Sequence, residues 1–402
     1  MPALFEPFKL GPVTIPNRII KAATFEGMTP DAAPSRALLT YHRMHAVGGV
    51  GLTTVSYCSA SSEGRTYRHQ MWMRQQIVPA LRVMTDALHD QGTAVGLQLG
   101  HAGWFANPKA TREPNLGPSR KFSPYALAFS KALTESDLRR LVDDYASSAR
   151  LACDAGFDAI EVHVGHGYLL SQFLSPWTNR RRDQWGGSLD NRARFPREVL
   201  VAVKEAVGDR AAVWAKLNME DGFKGGLTLD EGIEVARMID RDGSVDAIQP
   251  TVGFTARTPM WLLRGDVPLK QMVELERDRV RRTGMRMFAP FLMHTHPFTE
   301  AYLKPMTDRV REAVTTPVML LGGVTRKDTA ERAVADGYVA VAMARALLAE
   351  PDLPNRWQAG DESAGSRCIH CNACVTEMDR HGTRCVLDPV PDHLPATAGD
   401  LG

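Results

Sequence analysis

The chain has 402 residues, of which 44% are hydrophobic and 23% are charged, and this composition excludes a disordered chain, a coiled coil and a collagen. Because 48 Lys and Arg residues nearly balance 46 Asp and Glu residues, the net charge of +2 gives no electrostatic basis for binding nucleic acid or an anionic membrane. No run of about 18 apolar residues predicts a membrane span. The chain also opens without a basic and apolar leader, so we expect a cytoplasmic protein with no secretory signal.

Eight short apolar segments have the character of buried parallel strands, and helical patterns separate them. The predicted strands are residues 18–24, 50–58, 93–99, 158–163, 211–217, 245–249, 317–321 and 338–343. Helices are predicted over residues 77–89, from a start at Thr134 and from a start near Thr228. This alternation predicts an α/β protein of the closed (β/α)8 TIM-barrel type, with a doubly wound sheet as the alternative.

Two connections are longer than a barrel requires. Residues 100–132 are rich in Pro, Gly, Ser and Asn, and residues 254–299 carry many methionine and aromatic side chains. Both leave the carboxyl end of a predicted strand, where barrel active sites are built. Each connection is therefore either a lid or pocket wall, or a surface insertion with a small core of its own.

His163 ends the fourth predicted strand, and His166 and Tyr168 follow it within five residues. Two imidazoles that converge on one point can donate hydrogen bonds to a carbonyl oxygen that gains negative charge. A nearby tyrosine hydroxyl can deliver a proton. The alternatives are a structural histidine pair and a two-histidine metal site that needs a third ligand.

A phosphate site is predicted at the ends of the last two strands. Gly322 and Gly323 follow the seventh strand, and Ala344 and Arg345 follow the eighth. Barrel phosphate sites commonly use these two loops, since glycines expose backbone N–H groups and arginine binds phosphate bidentately. The alternative is a simple glycine turn and an arginine that caps the surface.

The stretch from residue 161 to 195 resembles the Old Yellow Enzyme family of FMN-dependent NADH:flavin oxidoreductases. The family pattern is His-x-x-(His/Asn)-Gly-Tyr-Leu-Leu-x-Gln-Phe-Leu, followed by Asn-x-Arg-x-Asp-x-aromatic-Gly-Gly-Ser-x-x-Asn-Arg. The matching residues are His163, His166, Gly167, Tyr168, Leu169, Leu170, Gln172, Phe173, Leu174, Asn179, Arg181, Asp183, Gly186, Gly187, Ser188, Asn191 and Arg192. The resemblance covers residues 4–353 and implies a (β/α)8 barrel with FMN at its carboxyl mouth.

The resemblance also implies which strand ends contact the flavin. Ala23 and Thr24 are expected against the isoalloxazine ring. Gln98 is expected at its pyrimidine edge, where an amide offers both a donor and an acceptor, unless it is only a polar residue of the barrel interior. Two positions depart from the family pattern. Phe25 stands where Thr, Cys or His usually tunes the flavin, and Lys216 stands where an arginine usually lies near flavin N1.

Four of the six cysteines lie close together near the end of the chain. They are Cys368, Cys371, Cys374 and Cys385. Their spacing suits a [4Fe–4S] cluster better than zinc, and four thiols without metal are the third possibility. The spacing is similar to that of the iron–sulfur branch of the family, which includes trimethylamine dehydrogenase and 2,4-dienoyl-CoA reductase. We place the FMN-binding barrel in residues 1–350 and the Cys-bearing extension in residues 351–402, without the nucleotide-binding domains that follow in that branch.

The resemblance implies an ene-reductase mechanism. NAD(P)H would first reduce FMN. His163 and His166 would then hold the oxygen of an α,β-unsaturated carbonyl. Hydride would pass from flavin N5 to the β-carbon, and Tyr168 would protonate the α-carbon. The alternative is an FMN/[4Fe–4S] dehydrogenase or demethylase that passes electrons through the cluster to a partner protein. A remote alternative is a lyase that forms a Schiff base with Lys216. We also expect a small-molecule substrate and a homo-oligomer.

Overall fold

A computed structural model describes residues 3–276, 278–293, 295–361, 365–378, 380 and 382–389. Within these residues, eight parallel strands form one sheet that curves into a barrel. The strands are β1 (Ile19–Lys21), β2 (Leu52–Ser59), β3 (Ala94–Gly100), β4 (Ala159–Val164), β5 (Ala212–Asn218), β6 (Ala247–Thr251), β7 (Met319–Leu321) and β8 (Ala340–Met343). All eight predicted strands are present, and their bounds differ from the predicted ones by a few residues.

The sheet closes between β6 and β7. The strand order is β6-β5-β4-β3-β2-β1-β8-β7. A parallel bridge joins Ile248 to Val318, and the Ile248 N–H donates to the Pro317 carbonyl at 2.9 Å. The predicted barrel is therefore confirmed, and the doubly wound alternative is wrong.

Helices surround the barrel, and the two predicted helix starts carry N-terminal caps. Thr134 with Asp137, and Thr228 with Glu231, form reciprocal capping boxes. The helices of the outer layer are Arg36–Val47, Val78–His89, Glu135–Asp154, Leu189–Val207, Leu229–Asp242, Lys304–Arg311 and Lys327–Ala335. The other helices are Pro108–Thr111, Leu169–Leu174, Pro259–Leu263, Leu269–Leu275, Arg279–Leu292, Arg345–Ala349, Leu353–Gln358 and Cys374–Glu377. None of the helices that the described residues form has the length and apolar character that a membrane span requires.

The two ends of the barrel differ. An antiparallel hairpin of Phe8–Leu10 and Val13–Ile15 covers the amino end, where Phe8 and Ile15 share a buried cluster with Trp214 of β5. A large cavity lies at the carboxyl end. The connections over residues 100–132 and 254–299 both contribute side chains to this cavity, among them Phe105 and Met285. Both connections are therefore pocket walls rather than separate surface insertions.

The cysteine-bearing segment folds back onto the barrel. The Thr383 N–H and hydroxyl donate to the carbonyls of Glu26 and Phe25 at 2.7 and 2.6 Å. Gly27 has a φ of +69°, and a Cβ there would lie 2.4 Å from the Met378 carbonyl oxygen, so the two chain segments are in close contact. Residues 362–364, 379, 381 and 390–402 of the predicted extension lie outside the described residues. The division at residue 350 stays a prediction.

Candidate active site

All twelve residues predicted for catalysis and flavin binding line one cavity of about 1760 Å³. They are Ala23, Thr24, Phe25, Gln98, His163, His166, Tyr168, Lys216, Gly322, Gly323, Ala344 and Arg345. The shared location follows from the fold, because the carboxyl ends of parallel barrel strands meet at one rim. The volume exceeds the roughly 300–1,000 Å³ of a typical small-molecule pocket, so it has room for a flavin and a second molecule. Their individual roles stay predictions.

A buried carboxylate holds the two polar residues that are predicted to face the flavin. The Glu161 side chain is fully buried, and its Oε1 lies 2.7 Å from Lys216 Nζ and accepts from Gln98 Nε2 at 2.5 Å. Its Oε2 accepts from Trp214 Nε1 at 3.0 Å, and Ser56 Oγ donates to Gln98 Oε1 at 3.0 Å. We call Ser56, Gln98, Glu161, Trp214 and Lys216 the floor network.

The floor network leaves polar capacity for a ligand. A side-chain amide has two N–H donors, and an ammonium has three. After the bonds to Glu161, Gln98 retains one N–H, and Lys216 retains two donors. Both residues line the cavity, so they can meet a ring edge that presents acceptors. Glu161 was not among the predicted site residues, although an acidic residue inside an apolar strand was an available signal.

The two histidines stand side by side, with ring centroids 4.9 Å apart. Burial, together with the Lys216 charge, lowers the pKa of His166 to about 3, and burial lowers the pKa of His163 well below its usual value. Both imidazoles are therefore neutral near pH 7, and each carries one N–H. His166 Nε2 lies 2.7 Å from Thr251 Oγ1. His163 Nδ1 is buried without a hydrogen-bond partner among the described residues.

Tyr168 lies next to the histidines. Its ring centroid is 4.7 Å from that of His163 and 5.3 Å from that of Tyr57. Burial raises the pKa of Tyr168 above its usual value, so the phenol remains protonated at neutral pH. His166 and Gly167 have φ angles of +58° and +77°, and this left-handed turn places Tyr168 directly before the helix Leu169–Leu174. The arrangement presents a proton donor beside two neutral hydrogen-bonding rings.

The end of β1 adds a second buried charge group. Glu26 lies 3.5 Å from Lys21 Nζ and 3.3 Å from His42 Nε2, and it accepts the Ser56 N–H at 3.1 Å. Burial raises the pKa of Glu26 to about 7. Thr24 accepts from Lys21 Nζ at 3.0 Å. This group joins the end of β1 to β2 through Ser56.

Phe25 packs against an aromatic ring rather than making a polar contact. It stacks on Tyr67 with centroids 5.6 Å apart and planes 13° apart. The side chain lines the cavity but supplies neither donor nor acceptor. The predicted departure from the family at this position therefore has a local structural basis, since Phe25 completes an apolar stack.

The predicted phosphate residues lie together at the ends of β7 and β8. Gly322 and Gly323 have φ angles of +104° and +83°, and a Cβ at either would lie 2.5 Å from a side-chain atom of Leu303 or Tyr302. These two positions accept only glycine without strain. Arg345 follows β8, and its Nη1 donates to the carbonyl of Arg264 at 2.9 Å. This bond anchors one nitrogen of the guanidinium group, which has five N–H donors in all.

These residues fit FMN. The cavity combines an amide that donates and accepts, two cations at different strand ends, and two glycines in a conformation that permits close approach of an anion. His163 and His166 line the same space. The donor set therefore suits an uncharged ring system that carries a phosphate.

The four clustered cysteines line one small cavity, and Cys374 lines both this cavity and the large one. All four thiols are free. Among the described residues, no three His, Cys, Asp or Glu side chains form a group that could hold a metal ion in this arrangement. The four thiols share one small cavity but form no ligand set in this arrangement, and the predicted cluster or zinc stays a prediction.

A wall of aromatic residues extends from Tyr168 along the cavity, and it was not among the sequence predictions. The Trp177 ring is 5.5 Å from Trp104, 5.5 Å from Phe254 and 5.5 Å from Phe223. These residues belong to one apolar cluster that also includes Tyr168. They come from separate connections, so only the fold brings them together.

Comparison with known proteins identifies relatives of similar length and of greater length. The profile of the NADH:flavin oxidoreductase / NADH oxidase family matches residues 3–251. The 4,4'-dithiodibutanoate disulfide reductase of Rhodococcus erythropolis is 44% identical over 386 residues, which are 96% of this chain and 95% of the relative. The chain spans only about half the length of several other curated relatives.

Two solved structures resemble the whole chain. The Old Yellow Enzyme homologue of Zymomonas mobilis has a TM-score of 0.69 at 25% identity, covering 89% of this chain and 93% of its own. Morphinone reductase in complex with tetrahydroNAD has a TM-score of 0.69 at 25% identity, covering 92% of this chain and 97% of its own. The resemblance predicted from the sequence is confirmed.

Proposed function

The chain belongs to the NADH:flavin oxidoreductase / NADH oxidase family, and we propose that it is an FMN-dependent reductase that uses NAD(P)H to reduce an activated C=C bond. The observation that carries this proposal is the convergence of His163, His166 and Tyr168 on one cavity whose floor presents Gln98 and Lys216. When bound, FMN supplies the hydride, from its N5 atom. The acceptor class we favour is an α,β-unsaturated carbonyl.

The chain would hold FMN at three places. Gln98 and Lys216 would bind the pyrimidine edge of the ring, because the floor network leaves both with free donors. Ala23 and Thr24 would lie against the ring, beside Phe25. The phosphate would lie at Gly322, Gly323, Ala344 and Arg345, where glycine permits close approach and arginine supplies the charge.

The two histidines would bind the carbonyl oxygen of the acceptor. Each neutral ring can donate one hydrogen bond, and a donor held in a water-poor site stabilises an oxygen that gains charge. If the Thr251 hydroxyl donates to His166 Nε2, the single ring proton is on Nδ1. Tyr168 would then give its phenolic proton to the α-carbon, and the product would carry one hydride and one proton across the former double bond.

An organic disulfide is a second candidate acceptor. The observation that favours it is the match over nearly the full length of a relative named as a disulfide reductase. One hydride and one proton convert an S–S bond into two thiols, so the same electron and proton supply would serve. The two acceptor classes differ in their need for the histidines, since a disulfide has no carbonyl oxygen.

A Tyr168→Phe substitution tests the proposed proton donor. In anaerobic stopped-flow experiments, we expect reduction of the flavin by NAD(P)H to proceed at the normal rate. Reoxidation by an enone such as 2-cyclohexenone should slow about 10²-fold or more, the usual contribution of a general acid. Tyr145→Phe is the control, because Tyr145 lies on an outer helix and does not line the cavity. Equal slowing of both half-reactions by Tyr168→Phe would remove Tyr168 from the proposed role.

The alternative direction, in which a dehydrogenase exports electrons through a cluster, is favoured by the position of Cys374 between the two cavities. Iron and acid-labile sulfide analysis of anaerobically purified protein tests it. A cluster would give iron that Cys374→Ser removes and that the control Cys153→Ser, on an outer helix, retains. Iron-free protein that still reduces an enone would support the reductase alone.

The lyase alternative is disfavoured because the Lys216 ammonium is held in an ion pair with Glu161.

A further inference from the structure

Two cations lie at the opening of the cavity without an acidic partner. Lys121 is half-buried, Arg257 is exposed, and both line the cavity. Neither forms an ion pair with a carboxylate among the described residues. Most other Lys and Arg side chains near the cavity are paired or anchored, such as Lys216 with Glu161 and Arg281 with Glu276.

Trp177 lies within reach of both cations. Lys121 Nζ is 3.8 Å from the Trp177 ring centroid, and Arg257 Cζ is 5.0 Å from it. Arg257 Cζ is also 4.0 Å from the Phe223 ring centroid. Cation–π contacts of this kind hold long basic side chains in place without neutralising them. The two charges are therefore ordered toward the same ring and remain available to an anion.

The charged side chains that act on Lys121 are positive. The pKa of Lys121 is lowered by burial and by the neighbouring charges of Arg180 and Arg257, with no carboxylate among the causes. Like charges held together repel, and an anion that binds between them relieves the repulsion and gains charge-assisted hydrogen bonds.

The aromatic wall connects these cations with the proposed reacting end of the cavity. Trp177, Phe223 and Tyr168 share one apolar cluster. A molecule whose reactive group lies at Tyr168 would therefore run along aromatic side chains toward Lys121 and Arg257.

We propose that Lys121 and Arg257 bind an anionic group, a carboxylate or a phosphate, at the end of the molecule opposite to its reacting atoms. The inference rests on the proposed function, because it places the reacting end at Tyr168. The anion has two sources, the distal carboxylate of the acceptor or a phosphate of the nicotinamide dinucleotide. Both require the same two cations.

The test uses the holoenzyme, the double variant Lys121→Gln/Arg257→Gln, and two acceptors that differ in one charge. The acceptors are 4-(3-oxobut-1-enyl)benzoate and its methyl ester. Arg120→Gln is the matched control, because Arg120 also lies over an aromatic ring, 4.1 Å from the Phe129 centroid, but does not line the cavity. We expect the double variant to raise the KM of the benzoate about tenfold or more, while the KM of the methyl ester stays unchanged.

The arms of the experiment separate the two sources. A higher KM for the benzoate alone assigns the site to the acceptor. If the Kd of NADPH and NADH, measured from flavin reduction, rises while the KM of both acceptors stays unchanged, the anion site binds the dinucleotide phosphates. Unchanged values for the benzoate and for both dinucleotides would overturn the proposal, as would an equal effect of Arg120→Gln.

Calorimetric titration of the oxidised holoenzyme with the benzoate separates this proposal from the proposed function. If neither acceptor is reduced, but the wild type binds the benzoate and the double variant binds it about tenfold more weakly, the reductase proposal fails and the anion site stands. If the double variant binds the benzoate as tightly as the wild type, the acceptor does not supply the anion.

Discussion

The floor network and the cysteine-bearing segment both border the large cavity, yet they are built differently. In the floor network, each polar group is carried by a barrel strand, and Glu161 contacts Lys216, Gln98 and Trp214 together. In the cysteine-bearing segment, four thiols share a cavity but form no ligand set in this arrangement. A strand places a side chain through the hydrogen bonds of its neighbours, whereas a loop needs its own contacts or a bound ligand. The difference indicates that contacts between barrel strands hold the floor network in place.

Removing one partner of the buried ion pair between Lys216 and Glu161 should give the largest loss of stability. Lys216→Met leaves the Glu161 carboxylate buried and uncompensated, and we expect a loss of about 3–5 kcal/mol in the free energy of unfolding. Urea denaturation measures this loss, and the variant should also retain less FMN.

The double variant Lys216→Met/Glu161→Gln is the control for the ion pair. It removes both charges, so it should recover a large part of the lost stability while FMN binding stays weak. If the double variant is as unstable as Lys216→Met, the pair is not the source of the loss.

Gly323→Ala should give an intermediate effect at a strand end. Its φ of +83° disfavours a side chain, and a Cβ would lie 2.5 Å from Tyr302 Cδ1, so we expect a loss of about 1–3 kcal/mol together with weaker FMN binding. Flavin fluorescence during titration of the apoprotein measures the affinity.

Gly92→Ala is the control for Gly323→Ala, because it introduces a similar backbone strain without a steric clash. Gly92 has a φ of +75°, and a Cβ there would have no neighbour within 4 Å. We expect a loss of about 1 kcal/mol without a change in FMN affinity. Equal weakening of FMN binding in both variants would show that Gly323 has no local role at the predicted phosphate site.

Weakening the attachment of the cysteine-bearing segment should give the smallest effect. Thr383→Val removes the hydroxyl that donates to the Phe25 carbonyl at 2.6 Å, which is worth about 1 kcal/mol. Hydrogen exchange should increase in this segment and not in the barrel strands. Thr40→Val, which removes a hydroxyl bond to Arg36 inside an outer helix, is the control and should leave the segment unchanged. Faster hydrogen exchange across β4 or β5 in Thr383→Val would show that the cysteine-bearing segment also stabilises the strands of the floor network.

The fold was predictable because its signals are local. Apolar strand segments and the caps at Thr134 and Thr228 depend on residues near one another in the chain, and the structure contains all of them. The convergence of His163, Lys216 and Gly323 on one rim then follows from the geometry of a parallel barrel. A motif match over a long stretch also identified the family.

Other contacts depend on register and on loop paths, which a sequence pattern does not contain. The bond between Glu161 and Gln98 requires their pairing across β4 and β3, and the bond between Glu161 and Lys216 requires the registration of β5. The position of Phe25 against Tyr67 likewise depends on how two connections pass each other.

The sequence by itself determined the barrel, the family and the identity of the twelve residues at its mouth, because periodic strands and a contiguous motif are properties of neighbouring residues. Only the tertiary structure decided that Glu161 joins the floor and that Lys121 and Arg257 lie around Trp177. It also decided that Cys374 lies between two cavities. These arrangements join residues from separate connections, and their distances are set by packing of the whole chain rather than by spacing along it.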